Sequence, residues 1–143
     1  MIINITYPDK RIKREITKIV GPAFGFIERI KMKGIGCAKL QIVEASPEIQ
    51  HIISANRDTA FCNLELRKNG LVLGFNSTGR IYAWCIGYHQ LNMYCNGGKL
   101  SVYGPKHSLK AIPPFNGTLD KRFISKVLKL KAEIMQGPDY SDI

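Results

Sequence analysis

Four cysteines and three histidines are the side chains of this sequence best suited to nucleophilic or metal chemistry, and their spacing argues against both. Cys37, Cys62, Cys85 and Cys95 lie far apart, with no Cys-x-x-Cys pair and no histidine at zinc-ligand spacing. They read as free, mostly buried thiols; two disulfide bridges in an exported protein are the alternative, since the count is even. His51, His89 and His107 are scattered. His89 follows the aromatic Tyr88 and either lines a pocket or makes an ordinary hydrogen bond near the surface. Gly34-Ile35-Gly36 lacks the third glycine and the strand-to-helix setting of a dinucleotide loop. With no nucleophile beside a base, no carboxylate pair and no phosphate loop, the expectation is a non-enzymatic protein without cofactor or metal.

The residues that remain chemically suggestive are cations. The 143-residue chain carries 21 Lys plus Arg against 11 Asp plus Glu, a formal charge of +10 and a pI near 9.6. The excess sits at the two ends: residues 1 to 33 hold eight basic and three acidic groups, residues 99 to 143 hold eight and four. Lys10, Arg11, Lys13, Arg14 and Lys18 are the candidate contacts for an anionic surface or phosphate-bearing headgroup, each worth about 1 kcal/mol near such a surface. The competing explanation is a solvated surface that maintains solubility. Interleaved with them, Ile12, Ile16 and Ile19 are candidate protein-interaction residues, able to dock on a partner, on a second copy, or on the chain's own sheet. A protein partner or self-association therefore heads the list, with an anionic lipid surface as the alternative. Nucleic acid ranks last, because Tyr82, Trp84, Tyr94 and Tyr103 lie in strand regions with little adjacent charge, and Trp84 reads as core.

These groups must be positioned by one domain, since 143 residues at 45% hydrophobic and 22% charged composition suit a single core. Ile12, Ile16, Ile19 and Val20 share one helical face over residues 9 to 20, and Gly21-Pro22 stops that helix. Residues 22 to 33 alternate in a way that favours a strand, although Phe26, Ile27 and Ile30 also suit a helical face. Gly34-Ile35-Gly36 then turns into a second strand with Ala38, Leu40 and Ile42 on one side, and Ser46-Pro47 starts a short helix to about Ser54. Asn69-Gly70 between two alternating runs predicts a type I′ hairpin that pairs Lys68 with Leu71, Leu66 with Leu73 and Leu64 with Phe75. Arg80 to Ile86 is apolar on both faces and reads as a central strand. Leu91, Met93 and Cys95 line one side of the next strand, Lys99 to Gly104 follows, and His107 to Ile112 completes a mainly β segment spanning residues 25 to 112. Thr118 would cap a last helix over residues 118 to 136, with an apolar stripe of Phe123, Ile124, Val127, Leu128, Leu130 and Ile134. Gly137-Pro138 would stop it, leaving a frayed tail from Asp139.

A meander of short antiparallel strands closed by one amphipathic helix resembles the pleckstrin-homology-like superfold, in particular the small bacterial PH-like and GRAM-like domains. Two segments carry the likeness: Leu71-Val72-Leu73-Gly74-Phe75 followed by Tyr82 to Leu91, and Phe123-Ile124 with Val127, Leu128 and Leu130. Gly87 stands where the related pattern has proline. The resemblance covers residues 59 to 136 and implies an α+β fold, a small antiparallel β-barrel or strongly bent sheet with a closing carboxy-terminal helix, to which the basic amino-terminal helix over residues 9 to 20 is an addition. Such folds host lipid binding, peptide binding and scaffolding alike.

Charges or glycines interrupt every hydrophobic run well short of the ~20 residues that a membrane-spanning helix needs, so no transmembrane segment is expected. Met1 to Pro8 precedes its basic cluster instead of following one, unlike a secretory signal, which makes a cytoplasmic location the expectation.

Overall fold

In a computed structural model, which describes residues 1–37, 39–55, 59–115 and 117–136, the elements follow in the order β1 (Ile2–Asn4), α1 (Lys10–Val20), α2 (Phe26–Lys31), β2 (Leu40–Ala45), α3 (Pro47–Ile53), β3 (Phe61–Leu66), β4 (Gly70–Ser77), β5 (Arg80–Gly87), β6 (Asn92–Asn96), β7 (Lys99–Tyr103), β8 (Ser108–Ile112) and α4 (Lys121–Gln136). The strands form one antiparallel sheet in the order β1-β5-β4-β3-β2-β8-β7-β6. The fold is therefore α+β, but the sheet does not close into a barrel. Its edges, β1 and β6, stay unpaired with each other among the described residues.

Alternation places the core. Leu64, Leu66, Leu71, Leu73, Phe75, Trp84 and Ile86 point to one side and are buried together with Leu100, Val102 and Leu109. Phe123 and Val127 bring α4 into this cluster, with Ile124 and Leu130 packed at its rim, whereas Leu128 and Ile134 of the expected stripe are exposed. The cap of α4 is Asp120, whose carboxylate accepts from the Phe123 backbone N–H at 3.1 Å; the helix thus starts three residues after the Thr118 expected from sequence. Gly137-Pro138 and the tail lie outside the described residues.

The other face of β5 carries Ala83 and Cys85, on which Ile16 and Val20 of α1 pack, with Ile12, Ile19, Ile3 and Val72 around them. That explains why β5 is apolar on both faces. It is not the middle of the sheet, as sequence suggested; it lies one strand from the edge, roofed by α1. The edge strand β1 was not foreseen: Ile2 pairs with Trp84 and Ile3 with Ala83. Three residues are too few to show a period.

The hairpin keeps the expected face and changes its register. Leu66 pairs with Leu71, Leu64 with Leu73 and Cys62 with Phe75, so Lys68-Asn69 form the loop. Neither Asn69 nor Gly70 has a positive φ, so the turn is not type I′. Moving each partner by two positions leaves the same side chains inward, which is why the core survives. Gly70 serves a different purpose. A Cβ there would collide with the Ile86 carbonyl and stand 2.6 Å from Val20 Cγ1. Its absence lets the end of α1 lie directly on the strand. The Asn69 N–H then donates to the Val20 carbonyl at 2.8 Å, and the Tyr88 N–H to Asn69 O at 3.0 Å.

Residues 26–31 are helix and not strand, which corrects the first part of the expected β segment. Leu40 and Ile42 are buried as predicted; Ala38 lies outside the described residues. The close approach at position 70 has a measurable consequence. Gly70→Ala should lower unfolding stability in a denaturant titration by about 1–3 kcal/mol, the usual cost of overpacking, and a change within ~0.5 kcal/mol would contradict the geometry.

Candidate functional site

Where the structure leaves chemistry accessible is decided by what it buries. Burial pushes the Cys62 thiol to about 12, with a further rise from the nearby Cys37; burial also raises Cys85 to about 11, against smaller opposing effects of the amino terminus and Arg67. Cys37 is likewise raised to about 11, by burial and then by Asp120. None of the three is a ready nucleophile at neutral pH. Cys95 alone is exposed. The histidines do not converge: His51 and His89 are exposed, while His107 pairs with Glu48 at 3.3 Å and stands edge-on to Trp84. Trp84 is fully buried, so it offers no stacking surface.

An open groove of about 680 Å³ runs over the outer face of β3 to β5, lined by Lys39, Phe61, Asn63, Asn76 and Ile81. The Lys39 ammonium lies 4.3 Å from the centre of the Phe61 ring and is held there as a cation–π contact. Among the described residues the remaining polar lining is amide, hydroxyl and thiol, with no second charged side chain.

The sequence-derived candidates divide cleanly. Lys10, Arg11, Lys13, Arg14 and Lys18 are all exposed on α1. Ile16 is buried against the chain's own β5, and Ile12 and Ile19 are partly buried beside it. Asp9 caps the helix by accepting from the Ile12 N–H at 2.9 Å, and Gly21 ends it at φ 78°, the stop that the sequence indicated. Clamping the isoleucines on the sheet turns the basic face of α1 to solvent.

The surface that sequence reading missed is α2. Phe26, Ile27 and Ile30 are 79%, 68% and 62% exposed, and no residue of the helix is buried. At spacings of one, three and four residues they share one side of the helix. They are not loose. Phe24, just before the helix, is buried, and Met32, just after it, packs on the same core. Glu28 Oε1 accepts from the Gly25 N–H at 3.3 Å and meets Lys68 Nζ at 3.4 Å, and Arg29 Nε donates to Phe24 O at 3.1 Å. Lys33 and Gly34 adopt positive φ and end the helix. Lys126 of α4 donates to the carbonyls of Lys33 and Gly34 at 3.4 and 3.2 Å. The helix is thus anchored at both ends; it carries Arg29 and Lys31, Lys33 follows it, and Lys68 and Lys126 reach it through Glu28 and the Lys33 and Gly34 carbonyls, with Glu28 the one carboxylate on the helix.

Comparison with protein-family models, curated proteins and solved structures finds no match for this chain. Function must therefore be argued from surface chemistry. An exposed apolar face on a helix with cations on and beside it can enter the boundary layer of a lipid bilayer while those cations meet anionic headgroups. The periodicity that places Phe26, Ile27 and Ile30 on one helical side is visible in the sequence; that nothing in the described chain covers them is not.

Thiol accessibility checks the burial pattern. Cys95 should react with a thiol reagent under native conditions well before the others, and Cys62 and Cys85 only on unfolding. Rapid native labelling of Cys62 or Cys85, read by mass spectrometry, would contradict it.

Proposed function

We propose that this protein is a non-enzymatic binding module of PH-like architecture that attaches peripherally to anionic membrane surfaces. The observation that carries the reading is the α2 face, three large apolar side chains held outward on a helix that itself carries Arg29 and Lys31 and is followed by Lys33. Monomeric soluble proteins seldom present such a face without using it. Burying each of the three side chains contributes about 1.5–3 kcal/mol, and each basic side chain near the surface about 1 kcal/mol. Micromolar attachment takes roughly 8 kcal/mol. Partial insertion of α2 falls short of that alone, so the cations on and beside α2 and those of α1 are part of the site.

The PH-like reading draws support from the chain order. Two meanders, β2 to β5 and β6 to β8, are joined where β2 pairs with β8, and the closing helix α4 follows. Among the described residues no helix is long and apolar enough to cross a membrane, which suits peripheral attachment. The cytoplasmic leaflet, with its negative surface potential, is the matching location. Protein interaction through Ile12, Ile16 and Ile19 has less to draw on, because those side chains already pack on β4 and β5.

Flotation with phosphatidylserine-containing vesicles tests the proposal. The protein should float at low salt, be released as salt rises, and lose at least tenfold in vesicle affinity on the combined change Phe26→Ser, Ile27→Ser and Ile30→Ser. Replacing Lys10, Arg11, Lys13 and Arg14 with serine should weaken binding and flatten its salt dependence. Failure to float at low salt, or binding indifferent to the α2 changes, would overturn it.

A further inference from the structure

The two edges of the sheet are treated differently. β1 is three residues long, and the backbone on either side of it is tied in: the Met1 ammonium donates to Cys85 O at 3.2 Å and the Ile5 N–H to Ile81 O at 2.7 Å. β6 is five residues long and pairs with β7 in unbroken register from Asn92–Tyr103 to Asn96–Lys99. Its other side meets no strand among the described residues, and four of its five residues are exposed. Edge strands are ordinarily protected from pairing by lysine, proline, a bulge or extreme shortness. The segment Asn92-Met93-Tyr94-Cys95-Asn96 has none of these devices and carries no charge in a chain of net charge +10.

We infer that β6 is a self-association edge, pairing antiparallel with β6 of a second copy about a two-fold axis through Tyr94. The second copy is the occupant favoured by charge and length. Two chains of +10 repel over most of their surfaces, and a wholly neutral strand is where such chains approach without like charges in contact. Centring the axis on Tyr94 uses the strand in full: Asn92 faces Asn96, Met93 faces Cys95, and Tyr94 faces its own counterpart.

The two faces of that junction are chemically matched as well. Met93 points to the core side, 9% exposed, and the sulfur-bearing Met93–Cys95 pairs would extend the inner layer across the axis. On the outer side Tyr94 and Tyr103 already meet edge to face, with ring centres 6.0 Å apart, while remaining 59% and 37% exposed. The axis gathers two such pairs into one aromatic cluster. Tyrosine is enriched in interface centres because it combines apolar area with a polar tip. The pairing is isologous and closes at two copies, so it does not propagate into a fibre.

Light scattering of the full chain across a concentration series tests this. Wild type should show a concentration-dependent monomer–dimer equilibrium. Tyr94→Lys places two ammonium groups on the axis and should raise the dimer dissociation constant at least tenfold, while Tyr7→Lys, the same charge at a remote exposed position, should leave it unchanged. As an independent arm, Tyr94→Cys in a Cys95→Ser background should form a disulfide-linked dimer under mild oxidation. A monomeric mass at every concentration, or a dimer that Tyr94→Lys leaves intact, or no cross-link from Tyr94→Cys, would overturn the inference. A monomer whose β6 instead captures extended peptides counts against it equally.

Discussion

The closeness with which Val20 lies on Gly70 determines how the rest of the molecule is arranged. A single added carbon at position 70 would meet both Val20 and the Ile86 carbonyl. Without it, α1 runs to the tip of the β3–β4 hairpin, and the hairpin loop is held by the helix end through Asn69 N–H to Val20 O. Tyr88 completes the junction: its hydroxyl, fully buried, donates to Arg67 O at 2.6 Å, and its carbonyl accepts from Lys131 of α4 at 2.9 Å. Three elements distant in sequence are thereby locked at one end of the sheet. Helix α2 leaves from that end, between Phe24 and Met32, with its remaining apolar residues turned outward.

That junction also gives the charge excess a structural form. Because Ile16 and Val20 are committed to Ala83 and Cys85, the lysines and arginines of α1 have one direction left, into solvent. The same holds for α2, whose two flanking core residues fix which side faces out. A basic composition alone speaks to solubility and association. A basic composition on clamped helices, beside uncovered Phe26, Ile27 and Ile30, is the surface on which the proposed membrane attachment rests.

Much of the architecture was legible in the residues. Alternation identified β3 to β8 and the inward leucines, since period two is set by the strand itself. Gly21-Pro22 marked the end of α1. The hairpin register was not legible, because Asn-Gly carries two meanings: a glycine that allows positive φ, and a glycine that makes room for a neighbour. Here the second prevails, and only a residue 50 positions earlier, Val20, reveals it. Residues 26–31 misled for another reason. Their apolar positions fit both periods, and the choice was made by Phe24 and Met32 anchoring the segment to the core. Cys95 was expected inward with Met93; it has the right parity but lies at the open edge of the sheet, where no strand among the described residues covers it. The candidate site was half visible: the cations of α1 could be named, whereas exposure of the α2 face is a property of what fails to pack over it.

The most direct measurement of the central claim is insertion depth. A fluorophore attached through Phe26→Cys, in a Cys95→Ser background, can be tested with vesicles containing phosphatidylserine and spin-labelled acyl chains, alongside the same label at Gln50→Cys on α3. The account predicts quenching by shallow acyl-chain labels at position 26 and none at position 50. Equal exposure of both positions to water on vesicles that bind the protein would contradict it.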